Sequence, residues 1–510
     1  MRGRRAPVTS ATERPSVAAD SIGRNTVFAF AVQITTAAFT AILTLVLVRV
    51  LEPQGYGLFA LALAVVGFVA LPSDFGISAS AARFVAEHRD DAPAVARVLA
   101  DALKLKIIGA GLVSAALFIA ADPIASAYDE PALTWPLRAI GISLFAESVL
   151  MLLTRAFVAQ GKNVWNLRIV FSESALEMVA SVALVLLGTG AAGAAFGRAI
   201  GYAFGVVVAL VMVVRLYGGA VLSLRRSSGR MRDIASYAGP LVIVDGAWTA
   251  FSKIHTLLIG GLLGTVTVGL FNAPLRLITF LQYPGIAISN SVSPAMARVH
   301  DREPNSAAFV RSIRYLVVLQ AIIVAPIIVW AQPIVDLLLG TNYRDSANAL
   351  RALTPYIFLS ALAPVVSIAA NFLGEARARV PITVATLVIN LVLGILLIPP
   401  FEMVGAAAAM DISFALYVPA HFWICRRRIE FPLRPIVATV VRSVCAGAAM
   451  AGVLLAFGRD DLSFVDWVAG GTLGTLAFAG VLVATGELDP ATLKVRKLVS
   501  RKPARAEGGP

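Results

Sequence analysis

Two stretches of the chain, LEPQGYGLF at 51–59 and LGTVTVGLF at 263–271, read as copies of each other 212 positions apart. In the same register Phe68 corresponds to Phe280. Solenoid repeats have periods of roughly 20 to 50 residues, much shorter than this one. The long period therefore predicts two structurally equivalent halves.

Composition decides which solvent the two halves occupy. Of the 510 residues, 58% are hydrophobic and only 14% are charged. A soluble protein of this length cannot hide that much apolar surface from water, so the surrounding solvent must be lipid. The chain contains about fourteen apolar runs near the 20 residues that one membrane crossing requires. We expect an all-α integral membrane protein with two six-helix pseudo-symmetric bundles and two additional C-terminal helices.

Positive charge predicts the orientation, because Lys and Arg in short loops stay on the cytoplasmic side. Most of the 43 Lys and Arg residues fall in alternate segments between the spans, together with both termini. Both termini are therefore predicted to be cytoplasmic. The predicted segments are a tail at 1–25, a first bundle at 26–215, a linker at 216–236, a second bundle at 237–426, two further spans at 434–486 and a basic tail at 487–510.

The net charge of +13 does not predict a nucleic-acid partner, because the positive residues are spread over many inner segments as membrane topology requires. Some of these residues can contact anionic lipid headgroups instead. We expect a multi-pass protein of the cytoplasmic membrane that does not bind nucleic acid.

An offset of six spans is even, so equivalent spans cross in the same direction and a binding site is expected between the halves, as in carriers. Pro72 and Pro284 interrupt the second span of each half at equivalent positions. A proline in a spanning helix frees a backbone carbonyl, which suits a hinge. A static kink that shapes packing explains the pair equally well.

Enzymatic motifs are not found. The chain has no G-x-x-x-x-G-K-[ST] phosphate-binding loop, and its 4 histidines are far apart without metal-ligand spacing. The external loops are too short to build the catalytic domain of a polymerase or ligase. We therefore expect no cofactor, no metal and no enzymatic activity.

Charged residues within the spans are the remaining signal, because a charge near the bilayer centre is costly and usually faces a cavity or a partner. Glu173 and Glu177 share one face of the fifth span, and Glu147 lies in the fourth. Adjacent carboxylates can share a proton, which suits ion coupling. Simple pairing with Arg155 or Arg168 is the alternative.

The seventh and eighth spans carry the other candidates. Asp245 and Lys253 lie about 80° apart around a helix axis, so both can face one cavity. His255 lies about 200° from Lys253, so at least one of these two contacts another helix. Arg276 can bind a diphosphate with both arms of its guanidinium, or pair with a carboxylate such as Asp245 or Glu147.

These segments resemble the Wzx-type polysaccharide-exporting flippases of the multidrug/oligosaccharidyl-lipid/polysaccharide (MOP) superfamily. The likeness is carried by VRVLEPQGYGLFALALAVVGFVALPSDFGISASAARFVAEH at 48–88, by LLIGGLLGTVTVGLFNAPLRL at 257–277 and by FLGEARARVPITVATLVINLVLGILLIPPFEMVGAAAA at 372–409. The resemblance extends over nearly the whole chain. The quoted motifs are specific for the superfamily, but they distinguish poorly between the families within it.

The resemblance implies a V-shaped carrier that moves an undecaprenyl-diphosphate-linked oligosaccharide across the membrane by ion-coupled alternating access. It implies a cationic cavity, whose diphosphate contacts fall on Arg276 and Lys253, with Arg83 at the cytoplasmic mouth. Where relatives often carry Asp in the seventh span this chain has His255, so coupling here falls on His255 or Asp245. The implied partners are the lipid-linked substrate, membrane lipids and polysaccharide polymerase or export proteins.

Two other transporters of the same superfamily remain alternatives. A drug or cation antiporter of the MATE type should have an acidic, aromatic cavity, whereas the candidate charges here have both signs. A flippase for the peptidoglycan lipid precursor usually carries more Arg in its first span, and here the run from 27 to 48 has none.

Overall fold

A computed structural model describes residues 22–70, 74, 76–222, 246, 249–292 and 306–488. These residues form helices joined by short turns. The helices are α1 (Ile22–Val69), α2 (Ile77–Glu87), α3 (Ala92–Ala127), α4 (Thr134–Ala159), α5 (Asn163–Leu184), α6 (Gly190–Tyr217), α7 (Thr249–Leu263), α8 (Thr265–Leu281), α9 (Tyr283–Val292), α10 (Ser306–Val329), α11 (Ala331–Leu338), α12 (Ser346–Ala352), α13 (Thr354–Phe372), α14 (Ala376–Arg428), α15 (Arg434–Ala456) and α16 (Phe464–Ala484).

Within the described ranges, nine helical stretches are long and apolar enough to cross a membrane. Three of these, at 24–69, 163–217 and 376–428, are broken by a residue with non-helical angles and cross twice. An unbroken helix as long as the 48 residues of α1 would measure about 72 Å, more than twice the hydrocarbon core. Adding α7 and the pair α8 and α9 gives fourteen crossings, so the predicted fold class is confirmed.

The sequence repeat extends to the backbone angles of the turns between crossings. Glu52 has φ 57° and ψ 176°, and Gly264, 212 positions later, has φ 86° and ψ 176°. Gly190 has φ 56° and ψ −139°, and its equivalent Glu402 has φ 51° and ψ −129°. Positive φ favours glycine strongly, yet each turn has a glutamate in one half and a glycine in the other. The two halves therefore share the geometry of these two turns at equivalent residues.

The halves meet through a reciprocal contact of backbone on glycine, which we call the outer seam. A Cβ atom at Gly57 would lie 1.8 Å from the carbonyl oxygen of Thr265, and one at Gly269 would lie 1.9 Å from that of Pro53. Position 53 is the repeat equivalent of 265, and position 57 is that of 269. Only glycine permits both approaches, so the repeated glycine of the opening motif closes this interface.

Polar contacts reinforce the outer seam. The hydroxyl of Tyr343 donates to the carbonyl oxygen of Val48 over 3.1 Å, and the amide of Asn342 donates to Glu52 over 3.3 Å. All of these residues lie at the ends of the crossings that the charge distribution predicts to be external. We call these ends the predicted outer face. The described contacts of the outer seam hold the two halves together there.

The two additional helices, α15 and α16, pack on α10 rather than on the first half. Their shared core contains Trp330, Met450 and Phe478. The rings of Trp330 and Trp467 lie 5.1 Å apart, and the indole of Trp330 donates to the carbonyl oxygen of Gly458 over 3.1 Å. These helices therefore extend the second half on its outside.

A carboxylate just beyond α16 ties this pair to the bundle at the opposite face. Glu487 pairs with Arg314 at 2.8 Å and with Arg442 at 2.9 Å, and accepts from the hydroxyl of Thr439 over 2.5 Å. Burial alone raises the pKa of Glu487, but the hydrogen bonds from Thr439 and the two arginines outweigh it and lower the pKa. The pairing is therefore stable at neutral pH.

Candidate functional site: a polar cavity at mid-depth

A cavity of about 270 Å³ lies between crossings of the first half and reaches the seam with the second. Its walls come from α1, α4, α5 and α6, with α8 contributing Arg276. At 1.5 Å per helical residue, Glu147, Arg198 and Arg276 lie about 12 to 20 Å from the outer ends of their helices. The cavity is therefore near the middle of a hydrocarbon core of about 30 Å.

Arg198 of α6 organises the charges of the first half. Its guanidinium pairs with Glu177 of α5 at 2.9 Å and with Glu147 of α4 at 3.2 Å. It also donates to the hydroxyl of Tyr202 over 3.1 Å and stacks over that ring at 4.6 Å. One cation thus joins three crossings, and partnered charges of this kind are tolerated at membrane depth.

The position of the α5 carboxylates follows from a glycine ridge on α6. Cβ atoms at Gly201 and Gly205 would lie 2.5 Å and 2.9 Å from the Cβ atoms of Glu177 and Glu173. Such close approach is typical of small-residue packing between membrane helices. It sets both carboxylates on the cavity wall, where Ser174 donates to Glu173 over 2.9 Å. Glu173 also lies next to Glu177, so that their carboxyl groups interact.

The second half contributes two cations at mid-depth, where it meets the first half. Arg276 lines the cavity beside the hydroxyl of Tyr56, with which it interacts electrostatically. The side chain of Lys253 packs on Gly67, with its Cε 3.2 Å from the position of a Cβ there, and interacts with Arg276 and Glu147 through space. Within the described part of the chain, neither cation forms an ion pair with a carboxylate.

The charge of the cavity differs from the cationic cavity that the resemblance implied. Three carboxylates of the first half line the cavity with Arg198 and Arg276, and Lys253 of the second half interacts electrostatically with this cluster without lining the cavity. Over these six groups the formal charges cancel, but they are separated: the first half is acidic by two charges and the second is basic by two. The sequence shows the charges but not which of them converge.

Other predicted site residues lie outside the cavity. His255 is 1% exposed and lies between the rings of Phe251 and Phe271, at 5.9 Å and 6.5 Å, and neither of its ring nitrogens has a hydrogen-bond partner among the described residues. Arg83 is half-exposed on α2 and pairs with Glu87 at 2.9 Å. The structure does not bring these two residues to the cavity.

The predicted hinge and coupling residues are only partly covered. Asp245 and Pro72 lie outside the described residues. Pro284 is the second residue of α9, directly after the break at Gln282 that separates α9 from α8. The break is where the repeat places it, and its role as a hinge stays a prediction.

Sequence reasoning missed a second buried charge pair. Lys106 of α3 is fully buried, pairs with Asp74 and donates to Ser148 over 2.8 Å. The sequence does not show how deeply α3 enters the first half, so it does not reveal that Lys106 is buried. The available signal was Asp74, a single carboxylate within an apolar stretch of the sequence.

With this geometry established, comparisons with known proteins give the family. The family model described as "Polysaccharide biosynthesis protein" matches residues 22–300, more than half of the chain. The chain belongs to this family. A second family model, described as "Lipid II flippase MurJ", matches residues 270–470. The predicted Wzx-type membership of the MOP superfamily is confirmed.

Individual relatives agree with the family. A Shigella flexneri protein described as "Putative O-antigen transporter" is 23% identical over 403 residues, which cover 75% of this chain and 92% of that protein. The solved structure of the lipid II flippase MurJ in an inward closed conformation has a TM-score of 0.75 at 10% identity, and covers 91% of this chain and 100% of that one.

Solved structures of MATE transporters share the fold at lower scores. An inward-facing one has a TM-score of 0.64 at 16% identity over 79% of this chain and 95% of that one. An outward-facing one has a TM-score of 0.57 at 17% identity over 82% and 96%. This polysaccharide biosynthesis protein is thus a multi-pass membrane transporter of the MOP superfamily and not an enzyme.

Proposed function

We propose that this family member is a flippase that moves a lipid-diphosphate-linked oligosaccharide from the inner to the outer leaflet of the cytoplasmic membrane. Both termini face the cytoplasm in this proposal, and transport is ion-coupled alternating access. The observation that carries it is the pair Arg276 and Lys253, two cations at mid-depth without an ion-pair partner among the described carboxylates. A diphosphate provides the missing anion.

The physical need for such a protein is clear. A sugar diphosphate that crosses hydrocarbon unaided must bury unpaired charge and many hydroxyl groups. A polar cavity supplies partners for both while the lipid tail stays in the bilayer. The guanidinium of Arg276 forms paired hydrogen bonds with phosphate oxygens, and the ammonium of Lys253 adds a second charge nearby.

Coupling is assigned to the carboxylates of α5. Glu177 is held by Arg198 at 2.9 Å, whereas Glu173 has a hydrogen bond from Ser174 and no ion pair within the described ranges. Neighbouring carboxyl groups share protons readily. We therefore assign proton exchange to Glu173, with Glu177 and Glu147 fixing its surroundings through Arg198.

Transfer of a fluorescent undecaprenyl-diphosphate oligosaccharide between leaflets of reconstituted liposomes tests the proposal. Arg276→Gln and Lys253→Gln should each slow transfer roughly 10- to 100-fold, the loss expected for one charge-assisted hydrogen bond. Arg138→Gln is the control, because Arg138 pairs with Asp122 at 2.6 Å away from the cavity. Wild-type rates in both cavity variants would exclude the diphosphate contact.

The same liposomes test coupling when a pH gradient is imposed. Glu173→Gln should transfer the substrate at a rate independent of the gradient, because an amide cannot exchange the proton. Arg138→Gln, which lies away from the cavity, is the control and should keep the gradient dependence of wild type. Gradient dependence that persists in Glu173→Gln would place coupling on another residue.

One observation favours a second candidate, a MATE-type cation antiporter. Carboxylates and aromatic rings, among them Phe39, Phe59 and Tyr202, line the same cavity. An organic cation would compete with Arg198 for Glu147 and Glu177. Proton-driven uptake of a fluorescent cation by the liposomes, without transfer of the lipid diphosphate, would establish this candidate.

The match to the MurJ family model keeps the peptidoglycan lipid precursor within the proposed substrate class. Transfer assays with liposomes that contain this precursor, run beside liposomes that contain the lipid-linked oligosaccharide, decide which of the two lipids is the substrate.

A further inference from the structure

The first crossing carries a regular row of hydroxyl groups. Thr36, Thr40 and Thr44 are spaced four residues apart, so they lie along one face of α1, and all three line the cavity. Thr35, beside them in sequence, does not line it. The row therefore belongs to the cavity wall and not to the helix surface in general.

Several other helical threonines in the described ranges bond their hydroxyls within their own helix, whereas these three do not. The usual partner of a threonine in a membrane helix is the carbonyl four residues earlier. Thr154 donates in this way to Leu150 over 3.0 Å, and Thr386 to Ile382 over 2.8 Å. In the part of the chain that the structure describes, no hydrogen bond is found for the hydroxyls of Thr36, Thr40 or Thr44. They are available to a ligand.

The chemistry of this wall differs from that of the seam. Thr36, Thr40 and Ser174 present hydroxyls, Glu173 presents a carboxylate, and Phe39 presents an aromatic ring. Hydroxyls donate and accept hydrogen bonds and a carboxylate accepts them, so both kinds of group can bind sugar hydroxyls. Aromatic ring faces pack on apolar sugar faces. Of the two arginines that line this cavity, Arg198 is already paired with Glu147 and Glu177, and Arg276 is assigned to the diphosphate, so neither is left to neutralise an acidic sugar.

Cavity size limits the ligand. About 270 Å³ is near the lower end of the roughly 300 to 1,000 Å³ of typical small-molecule sites. Such a volume suits the sugar next to the diphosphate and not a whole oligosaccharide. The remaining sugars would extend out of the cavity.

We propose that Thr36, Thr40 and Thr44 form a subsite for the first sugar of the lipid diphosphate, and that this sugar is uncharged. The subsite rests on the proposed function, because the diphosphate at Arg276 is what brings the sugar to the wall. Its neighbour Glu173, when ionised, repels a uronic acid, and it accepts hydrogen bonds from a neutral sugar. The threonine row thus sets substrate specificity, whereas the cations bind the part that all such lipids share.

Equilibrium binding of three short-chain lipid diphosphates to the purified protein tests this: one without sugar, one with a neutral N-acetylhexosamine and one with a hexuronic acid. Wild-type protein should bind the neutral-sugar lipid at least tenfold more tightly than the uronic-acid lipid. Thr36→Val with Thr40→Val keeps the shape and removes two hydroxyls. It should weaken neutral-sugar binding at least fivefold, as the loss of two hydrogen bonds predicts, and leave the sugar-free lipid unchanged.

Thr35→Val is the control and should bind all three lipids as wild type does. Unchanged neutral-sugar binding in the double variant would overturn the subsite, and so would an equal loss for the sugar-free lipid. Equal wild-type affinity for the acidic and neutral sugars would overturn the specificity. Failure of the proposed function looks different: Arg276→Gln would then bind the sugar-free lipid diphosphate as tightly as wild type.

Discussion

Substitution of Gly269 by alanine should shift the transporter away from the conformation described here. The new Cβ would lie 1.9 Å from the carbonyl oxygen of Pro53, and contacts under 3.0 Å are essentially never seen. Both groups belong to helix backbone, so no side chain can move aside. The two helices must separate by roughly 1 Å at the outer seam.

The size of the effect follows from this overlap. Overpacking of this kind costs about 1 to 3 kcal/mol. The cost falls only on the state in which the seam is closed, because an outward-open transporter has already separated these helices. At 1.4 kcal/mol per factor of ten, the ratio of protein with an open outer seam to protein with a closed one should rise about 5- to 150-fold.

Labelling of a single cysteine measures this ratio. Asn342→Cys places a thiol beside Glu52 at the seam, in a background with Cys425 and Cys445 replaced by alanine. A membrane-impermeant maleimide should label it several times faster when Gly269→Ala is also present. Gly111→Ala is the matched control, because a Cβ there has its nearest neighbour at 3.9 Å.

Two results would refute the reasoning. Unchanged labelling together with an unchanged melting temperature would mean that the helices do not approach as described. A lower melting temperature without faster labelling would mean that the outer seam does not open during transport. The alanine would then destabilise the seam-closed state without populating a seam-open one.

Three further predictions concern stability, each measured by thermal unfolding of the detergent-purified protein. Glu52→Gly should raise the free energy of unfolding by about 1 kcal/mol, because glycine relieves the strain of positive φ; a loss would show that Glu52 is unstrained. Asp74→Asn should lower it by about 3 to 5 kcal/mol by leaving Lys106 buried without a carboxylate, and Asp74→Leu with Lys106→Met should recover most of this; no recovery would contradict the assignment to charge. The pKa of Glu487 is lowered in the folded protein, so its ionised carboxylate stabilises the fold at pH values above 4.5, the ordinary pKa of a glutamate. This contribution is lost as pH falls through the folded-state pKa, so the stability of wild type should fall more steeply on acidification than that of Glu487→Gln. Parallel curves of stability against pH would exclude the effect.

The architecture was predictable because its causes are local or periodic. Apolar runs give the crossings, and the 212-residue repeat gives two halves with equivalent turns. Even the glycine at 269, which the opening motif shares with position 57, marks the seam once the repeat is recognised. These features depend on residue type and spacing, which the sequence displays directly.

The cavity was less predictable, because it depends on how six helices rotate about their axes. Spacing places Glu173 and Glu177 on one face but does not show that Arg198 reaches Glu177 and Glu147 together. The candidate His255 shares a helix with Lys253, and only packing decides that its ring lies among aromatic side chains. Lys106 was missed for the same reason, since its partner lies 32 residues earlier on another crossing.

The separation of charge across the cavity has a mechanical consequence. Acidic groups on the first half and Arg276 with Lys253 on the second attract each other through a medium that screens poorly. That attraction pulls the halves together at mid-depth whenever no anion is bound. In the proposed function a bound diphosphate would cancel this attraction, so that cargo would loosen the bundles and an empty carrier would resist the motion that leaks ions.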